Sequence, residues 1–272
     1  MPTVEANGQT LYYEEHGEGE PLVCLMGLSA DVLAWTLQVP AFSARYRTIL
    51  IDNRDVGRSS RADGPYEIAD MARDTLALAD ALELDTFHLL GYSMGGAIAQ
   101  EIACRAPGRI RTLTLSVTFA SGGAWARSLS DAWSSRVHKI SHEEHIDELL
   151  LLNHSEAFFE NADAVAYMRG LMLENPHPQE PEAFARQLAA SSRHDTRDRL
   201  GLLALPTHVI GAERDILVPI WKSKELAELI PGAKLTLLEG APHGAVVEQA
   251  ERFNEAVLEF IGSAREPAAT SS

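Results

Sequence analysis

A serine among glycines, Ser93, is the first residue of this chain whose surroundings predict chemistry. It lies in the stretch Gly91-Tyr92-Ser93-Met94-Gly95, which fits the pattern G-x-S-x-G between an apolar run and an Ala-rich run. A sharp turn from strand to helix would hold its hydroxyl clear of the backbone, and glycines let both elements approach closely. The stretch therefore predicts a nucleophile, although an ordinary serine at a Gly-rich junction would give the same pattern.

Other glycine-rich motifs do not fit this stretch. A dinucleotide-binding G-x-G-x-x-G would place a glycine where Ser93 stands, and a phosphate-binding P-loop requires a Gly-Lys-Ser/Thr that is absent. A serine hydroxyl is a weak nucleophile until a base takes its proton. That base is usually a histidine oriented by a carboxylate, so the rest of the chain must supply both.

Short apolar runs and turn signals predict the sheet that would carry Ser93. The stretch "TVEANGQTLYYEEHG" alternates around Asn7-Gly8, as in a hairpin. Buried strands are predicted in "PLVCLMG", "YRTILIDNR", "TFHLLGYS" and "RIRTLTLSV", and helices in "YEIADMARDTLALADALEL" and "MGGAIAQEIACRAP". This alternation predicts an α/β fold with a mostly parallel central sheet flanked by helices.

The alternation stops between residues 121 and 198, where only helices are predicted. Trp125, Leu129, Trp133 and Val137 recur every four residues, and "EEHIDELLLL", "ADAVAYMRGLML" and "PEAFARQLAASS" indicate further helices. Strands resume with "PTHVIGAERD" and "AKLTLLEG", and "AVVEQAERFNEAVLEFIG" predicts one closing helix. We therefore predict a core of 1–120 and 199–263, an inserted helical cap of 121–198, and a disordered tail of 264–272.

The turn at Ser93 and a second loop resemble the α/β-hydrolase superfamily. The loop "DNRDVGRSS" is similar to the D-x-R-G-x-G-x-S loop of that family, with Asp55 where glycine is commoner. Together with "LMGLSADVLAW", this departure resembles bacterial esterases that include polyketide methyl-esterases and enol-lactonases. The resemblance covers nearly the whole chain outside the cap and tail. It implies the α/β-hydrolase fold and a triad in the chain order serine, acid, histidine.

Two late loops supply candidates for the other members of that triad. Asp215 follows the strand in "VIGAERDILVP", and His243 follows the strand in "LEGAPHGAVVE". Both lie at carboxyl ends of strands, the edge of the sheet where Ser93 emerges. Glu213 is a rival acid, and Asp215 could instead cap a helix that starts near Pro219. The spacing G-x-x-x-D-x-x-x-P resembles the acid loop of the family and favours Asp215.

Backbone N–H groups must stabilise the oxyanion that forms when a serine attacks a carbonyl. Met94, directly after the nucleophile, supplies one donor, and the resemblance assigns the other to Leu28. Six residues are candidates for the substrate pocket: Gly27, Tyr92, Trp125, Trp133, His194 and Leu217.

Two charged clusters are assigned structural roles. The stretch "HEEH", His142 to His145, lacks the H-E-x-x-H spacing and a third ligand, so a solvated helix face is favoured over a zinc site. Arg54, Asp55 and Arg58 could touch substrate, but ion pairs that hold their loop are the preferred interpretation. No metal or organic cofactor is implied.

The composition of the chain disfavours some classes of binding partner. The chain has 23 Lys and Arg against 39 Asp and Glu, a net charge of −16, which disfavours nucleic acid and anionic membrane surfaces. No apolar run approaches the roughly 20 residues that a membrane helix needs. The start "MPTVEANGQT" lacks the features of a signal peptide, so a cytoplasmic location is expected. A homo-oligomer stays open.

These patterns predict a serine hydrolase that cleaves a carboxylic ester or lactone of a small to medium apolar substrate. Ser93 would form the acyl-enzyme, with His243 as base and Asp215 orienting it. Hydrolytic C–C cleavage and a cofactor-free perhydrolase or haloperoxidase-like activity remain alternatives. A non-catalytic ligand-binding protein on the same scaffold is the alternative from a different class.

Overall fold

One sheet of eight strands forms the centre of the molecule in the computed structural model, which describes residues 2–264. The strands are β1 (Thr3–Ala6), β2 (Gln9–His16), β3 (Pro21–Leu25), β4 (Arg47–Ile51), β5 (Phe87–Tyr92), β6 (Ile110–Ser116), β7 (Thr207–Ala212) and β8 (Lys234–Leu238). Their order is β1-β2-β4-β3-β5-β6-β7-β8. The β1–β2 and β2–β4 pairs are antiparallel and the other pairs are parallel. The predicted mostly parallel sheet is therefore confirmed.

Twelve α-helices connect and cover these strands within the described residues. They are α1 (Val39–Ser43), α2 (Ile68–Ala81), α3 (Met94–Arg105), α4 (Gly123–Val137), α5 (His142–Asn153), α6 (Glu156–Phe159), α7 (Ala162–Leu173), α8 (Pro181–Arg193), α9 (Arg197–Leu200), α10 (Ile220–Leu229), α11 (Ala245–Glu248) and α12 (Ala250–Ser263). None of the helices in this part of the chain is long and apolar enough to cross a membrane.

The central strands are buried on both faces because their side chains alternate between two core layers. In β3, Val23 and Leu25 pack with residues of α2, α3 and α10. The intervening Leu22 and Cys24 pack with residues of α1 and α12 on the opposite face. Helices on both faces therefore fix the orientation of the sheet, whose carboxyl edge carries the loops after β3, β5, β7 and β8.

Helices α4 to α8 follow β6 and add no strand to the sheet. The two ends of this helical segment meet where Ser121 pairs with Asp195 in an isolated β-bridge. The N–H of Gly122 donates to the carbonyl of His194 at 3.1 Å, which strengthens the same junction. Val137 of α4 packs with residues of α8 in a small apolar cluster, against which Leu28 of the loop after β3 also packs. Because its two ends pair with each other, the helical segment begins and ends at the same place beside the sheet.

The closing helix differs from the prediction of a single element. It is divided into α11 and α12 at Gln249, whose φ of −129° and ψ of 41° leave the helical region. Tertiary contacts lie on both sides of the break: the Glu248 carboxylate accepts from the Ser155 N–H at 2.9 Å, and the Gln249 amide donates to the Glu239 carbonyl at 2.9 Å. Such contacts override local helix propensity. Of the predicted tail, all but Ala264 lies outside the described residues.

Candidate active site

Ser93 lies at a strained turn between the last residue of β5 and the first residue of α3. Its φ of 54° is in a region that non-glycine residues rarely adopt, and such strain concentrates at functional sites. A Cβ at Gly91 would lie 2.4 Å from the Gly95 carbonyl oxygen, and one at Gly95 would lie 2.1 Å from that of Leu25. Glycine is therefore required at both positions for the strand and helix to meet at this angle.

Ser93, His243 and Asp215 form a continuous hydrogen-bonded chain. The Ser93 Oγ lies 3.1 Å from His243 Nε2, and His243 Nδ1 lies 2.6 Å from Asp215 Oδ2. Both distances are within hydrogen-bond reach. The three residues follow β5, β7 and β8, so the parallel sheet brings its carboxyl-end loops together.

Asp215 is the acid that the geometry brings to His243. Its other oxygen, Oδ1, accepts from the N–H groups of Leu217 at 2.9 Å and Val218 at 2.7 Å. These bonds fix the plane of a carboxylate that is buried from solvent. The rival Glu213 accepts from the Gly240 N–H at 2.8 Å in an exposed loop. Glu213 therefore has a structural partner of its own.

Tyr92 holds the loop after β8, which carries His243. Its hydroxyl donates to the carbonyl of His243, and the two rings lie 6.0 Å apart at 65°. Burial raises the pKa of this phenol well above its usual range, so the hydroxyl stays protonated and remains a donor. Tyr92 also lines the cavity as predicted. It therefore contributes to the position of His243 as well as to the pocket wall.

The loop after β3 passes directly beside the serine. A Cβ at Gly27 would lie 2.9 Å from the Ser93 Cβ, so a larger residue there would displace one of these two segments of the backbone. Leu28 and Met94, the predicted oxyanion donors, line the same cavity as Ser93. The next residue, Ser29, has φ of 67°. The loop is therefore held in a conformation that needs support from its surroundings.

A cavity of about 160 Å³ opens over Ser93 and is lined mostly by apolar side chains. Of the predicted pocket residues, Gly27, Tyr92, Trp125, Trp133 and Leu217 line it. Helices α4 and α8 supply much of its wall, through Leu129, Leu188 and others. The arrangement suits an apolar group held next to the serine hydroxyl.

His194 differs from the prediction because it lies behind the cavity wall. Its ring is 6.1 Å from that of Phe119, which lines the cavity, and its Nε2 lies 3.4 Å from the Thr196 hydroxyl. Burial lowers the pKa of His194 to about 4, so the ring is neutral near pH 7. Its position next to the Ser121–Asp195 junction gives it a structural role.

A model of the alpha/beta hydrolase fold family matches residues 20–250. The chain belongs to this family. It is 30% identical over 274 residues to a putative carbamate hydrolase, RutD, of Azorhizobium caulinodans, with 96% of this chain and 98% of the relative covered. The structure of a hydrolase from Pseudomonas aeruginosa is similar at 30% identity and a TM-score of 0.88, covering 96% of this chain and 98% of that one.

An enol-lactonase from Burkholderia xenovorans is a further structural relative of this α/β hydrolase. The two are 27% identical with a TM-score of 0.86, and the alignment covers 96% of this chain and all of the lactonase. The hydrolase fold that the sequence predicted is thus confirmed, and so is hydrolase activity as a class.

The loop after β4 is held by two ion pairs with buried carboxylates in this α/β hydrolase. Arg54 forms two hydrogen bonds with Asp74 at 2.6 Å, and Asp55 accepts two from Arg186 of α8 at 2.9 and 2.8 Å. Paired geometry of this kind is the strongest form of ion pair in proteins. The departure at Asp55 therefore has a physical role, because its carboxylate ties the sheet to α8.

Gln187 is a site residue that sequence reasoning missed. It is fully buried in α8, and its amide oxygen accepts from the Ser29 N–H at 3.1 Å in the loop that carries Leu28. Its amide nitrogen donates to the Arg54 carbonyl at 2.9 Å. A polar residue on the apolar face of the predicted helix "PEAFARQLAASS" was the only local signal, and its partner is 158 residues away.

The "HEEH" stretch and the remaining titratable groups offer no metal site in the described part of the chain, where no three His, Cys, Asp or Glu side chains cluster to hold an ion. His142 is exposed, as expected of a solvated helix face. His145 differs, because it is half-buried and its ring lies 4.7 Å from that of Phe184. Packing against the small core between α4 and α8 accounts for its position.

Proposed function

We propose that this α/β hydrolase is a serine hydrolase that cleaves a carboxylic ester or lactone through an acyl-enzyme on Ser93. The observation that carries the proposal is the chain Ser93 Oγ, His243 Nε2, His243 Nδ1, Asp215 Oδ2, with separations of 3.1 and 2.6 Å. A hydroxyl, an imidazole and a buried carboxylate in this order form the arrangement that activates a serine.

In the proposed first step the Ser93 oxygen attacks the carbonyl carbon of the substrate. His243 Nε2 takes the hydroxyl proton and later gives it to the leaving alkoxide. The Asp215 carboxylate holds Nδ1–H and stabilises the imidazolium that forms. Water then attacks the acyl-enzyme, with His243 again as the base. In these steps, protons are transferred only among Ser93, His243, water and the leaving group.

The oxyanion would be stabilised by the backbone N–H groups of Leu28 and Met94. Met94 begins α3, so the positive end of that helix adds to the stabilisation. Loss of one such donor typically costs on the order of 10²- to 10³-fold in rate. The fixed loop beside Ser93 supports this assignment, because oxyanion donors must be in place before the reaction.

The apolar cavity favours an ester or lactone with an apolar acyl part as the substrate. Similarity to the Burkholderia xenovorans enol-lactonase supports the lactone class. A carbamate is the second candidate, because the relative from Azorhizobium caulinodans is named as a putative carbamate hydrolase. Both reactions begin with attack on an acyl carbon, so the same triad would serve either.

Covalent labelling tests the activated serine. Wild-type protein incubated with a fluorophosphonate should gain the mass of one adduct, and Ser93→Ala should gain none, because an activated hydroxyl is needed for the reaction. Ser191→Ala provides a matched control, since this serine lines the same cavity but takes no part in the hydrogen-bonded chain from Ser93 to Asp215. Absence of an adduct on folded wild-type protein would reject the proposal.

A substrate panel then separates the candidate reactions. p-Nitrophenyl esters of increasing acyl length, simple lactones, a p-nitrophenyl carbamate and a vinylogous diketone would be compared by kcat/KM. We expect an ester or a lactone to have the highest kcat/KM. Turnover of the carbamate alone would favour the second candidate, and turnover of the diketone alone would replace both with C–C hydrolysis.

A further inference from the structure

Lys222 is a buried cation on the wall of the serine cavity that the proposed reaction does not use. It belongs to α10, is 7% exposed, and lines the cavity over Ser93. Its Nζ donates to the Ser121 carbonyl at 2.6 Å. No carboxylate of residues 2–264 lies within 4.0 Å of it, so it has no ion-pair partner in the described chain.

An ammonium group carries three donors, and only one of these has an acceptor in the described chain. Two aromatic rings cover part of the group: Nζ lies 5.5 Å from the Phe119 ring centroid and 4.7 Å from that of Trp221. Lys222 and Phe119 both line the serine cavity, whereas Ser121 and Trp221 line a neighbouring second cavity, so the ammonium lies at the wall that the two cavities share. A buried cation is costly unless it is paired, so an anion that reached this wall would stabilise the ammonium.

The charges around Lys222 are few. Burial lowers its pKa, the carboxylates of Glu225 and Asp195 raise it, and Arg197 lowers it. Glu225 and Arg197 lie with Lys222 on the second cavity, which shares Gly122, Trp125 and Lys222 with the serine cavity. On the serine side, Lys222 is the only Lys, Arg, Asp or Glu among the described lining residues. An anion in that apolar surrounding would be attracted strongly, since the local dielectric is low.

We propose that Lys222 binds a carboxylate on the substrate, so that the preferred substrate is an ester or lactone that also carries an acid group. This inference rests on the proposed hydrolase function. The carboxylate would take the donors that Nζ leaves unused, while the scissile carbonyl reaches Ser93 in the same cavity. Lys222 is then a specificity-determining residue, and the apolar wall holds the carbon skeleton between the two ends.

Paired substrates test the preference. On the acyl side, 4-nitrophenyl hydrogen glutarate is compared with 4-nitrophenyl pentanoate; on the leaving side, 3-carboxyphenyl butyrate is compared with 3-methylphenyl butyrate. Wild type should prefer the acidic member of at least one pair, and the pair that responds identifies the side of the ester that faces Lys222. A wild-type enzyme that favours neither acidic substrate overturns the inference.

Variants of two lysines on α10 test whether Lys222 causes the preference for acidic substrates. Lys222→Met should lower the acidic-to-neutral ratio of kcat/KM by about 10- to 150-fold, the range expected for hydrogen bonds to a charged group. Lys222→Arg should restore part of the ratio, because it keeps the charge. Lys224→Met removes the same charge from an exposed position of α10 and should leave the ratio unchanged. An equal ratio in Lys222→Met and wild type contradicts the inference.

A binding measurement separates this inference from the proposed reaction. Calorimetry with glutarate and the Ser93→Ala protein requires no catalysis. Adding Lys222→Met should weaken glutarate binding about 10-fold or more, whereas adding Lys224→Met should not. Failure of fluorophosphonate labelling would reject the hydrolase proposal alone. Normal labelling without glutarate binding or acid preference would reject the carboxylate site alone.

Discussion

At the scale of single residues, the candidate site depends on a carboxylate whose two oxygens have separate partners. Asp215 Oδ1 is held by two backbone N–H groups, and Oδ2 is left to face His243. This division fixes the acid without using its contact to the imidazole. It also selects the histidine tautomer that leaves Nε2 free to take the Ser93 proton.

Asp215→Asn tests that division. The amide that this substitution introduces can keep its oxygen on the backbone donors, but its NH₂ group would then face Nδ1 and favour the wrong tautomer. We expect kcat on a p-nitrophenyl ester to fall on the order of 10⁴-fold. Glu213→Gln, in the same loop, should change kcat little because its carboxylate bonds to Gly240. Near-full activity in Asp215→Asn would reject the acid assignment.

At the scale of elements, helix α8 connects the helical segment to the loops around the serine. Arg186 bonds to Asp55, and the adjacent Gln187 bonds to Ser29 and to the Arg54 carbonyl. One turn of this helix therefore fixes both the loop after β3 and the loop after β4. Helix α8 also supplies Leu188 to the cavity wall, so a shift of this helix would alter both the loops and the cavity.

Gln187→Ala should loosen the loop that carries Leu28 without unfolding the protein. Small displacements of catalytic groups cost up to about 100-fold in rate, so we expect kcat and the rate of fluorophosphonate labelling to fall by about 10- to 100-fold. Arg193→Ala is the control on the same helix, since its pair with Glu67 is exposed. Equal labelling rates in Gln187→Ala and wild type, with both folded by near-UV circular dichroism, would contradict this role.

At the scale of the whole molecule, buried histidines couple the stability of the fold to pH. Burial lowers the pKa of His88, His194 and His208 from 6.5 to about 4. The unfolded chain binds protons on them near pH 6.5 and the folded chain only near pH 4, so their contribution to stability is lost as the pH falls through this window. Asp52 acts in the opposite direction, because burial raises its pKa to about 6.

His208→Gln isolates one of these histidines. His208 is buried beside the Phe260 ring and bonds to the Thr236 hydroxyl at 2.8 Å, which a glutamine amide can also reach. The fall in the free energy of unfolding between pH 6.5 and 4 should become less steep, by up to about 1.4 kcal/mol per pH unit. Urea denaturation at several pH values measures the slope. His142→Gln, at an exposed position, should keep the wild-type slope; an unchanged slope in His208→Gln would contradict the assignment.

Local sequence determined the parts of this protein that depend on near neighbours. The hairpin at Asn7-Gly8, the buried strands, and the turn that holds Ser93 follow from short patterns and from glycines that backbone geometry requires. Asp215 and His243 could be predicted as well, since a parallel sheet collects the loops that follow its strands at one edge.

Only the tertiary structure decided which polar residues of the helices face the site. The sequence analysis assigned no role to Gln187 or Lys222. It placed His194 in the pocket, whereas this residue lies behind the cavity wall. Each of the three has a partner that is distant in the chain: Ser29 for Gln187, Ser121 for Lys222 and Phe119 for His194. Helical periodicity in the sequence predicts which face of a helix is buried. Which residues that face contacts is determined by the packing of segments that are distant in the chain.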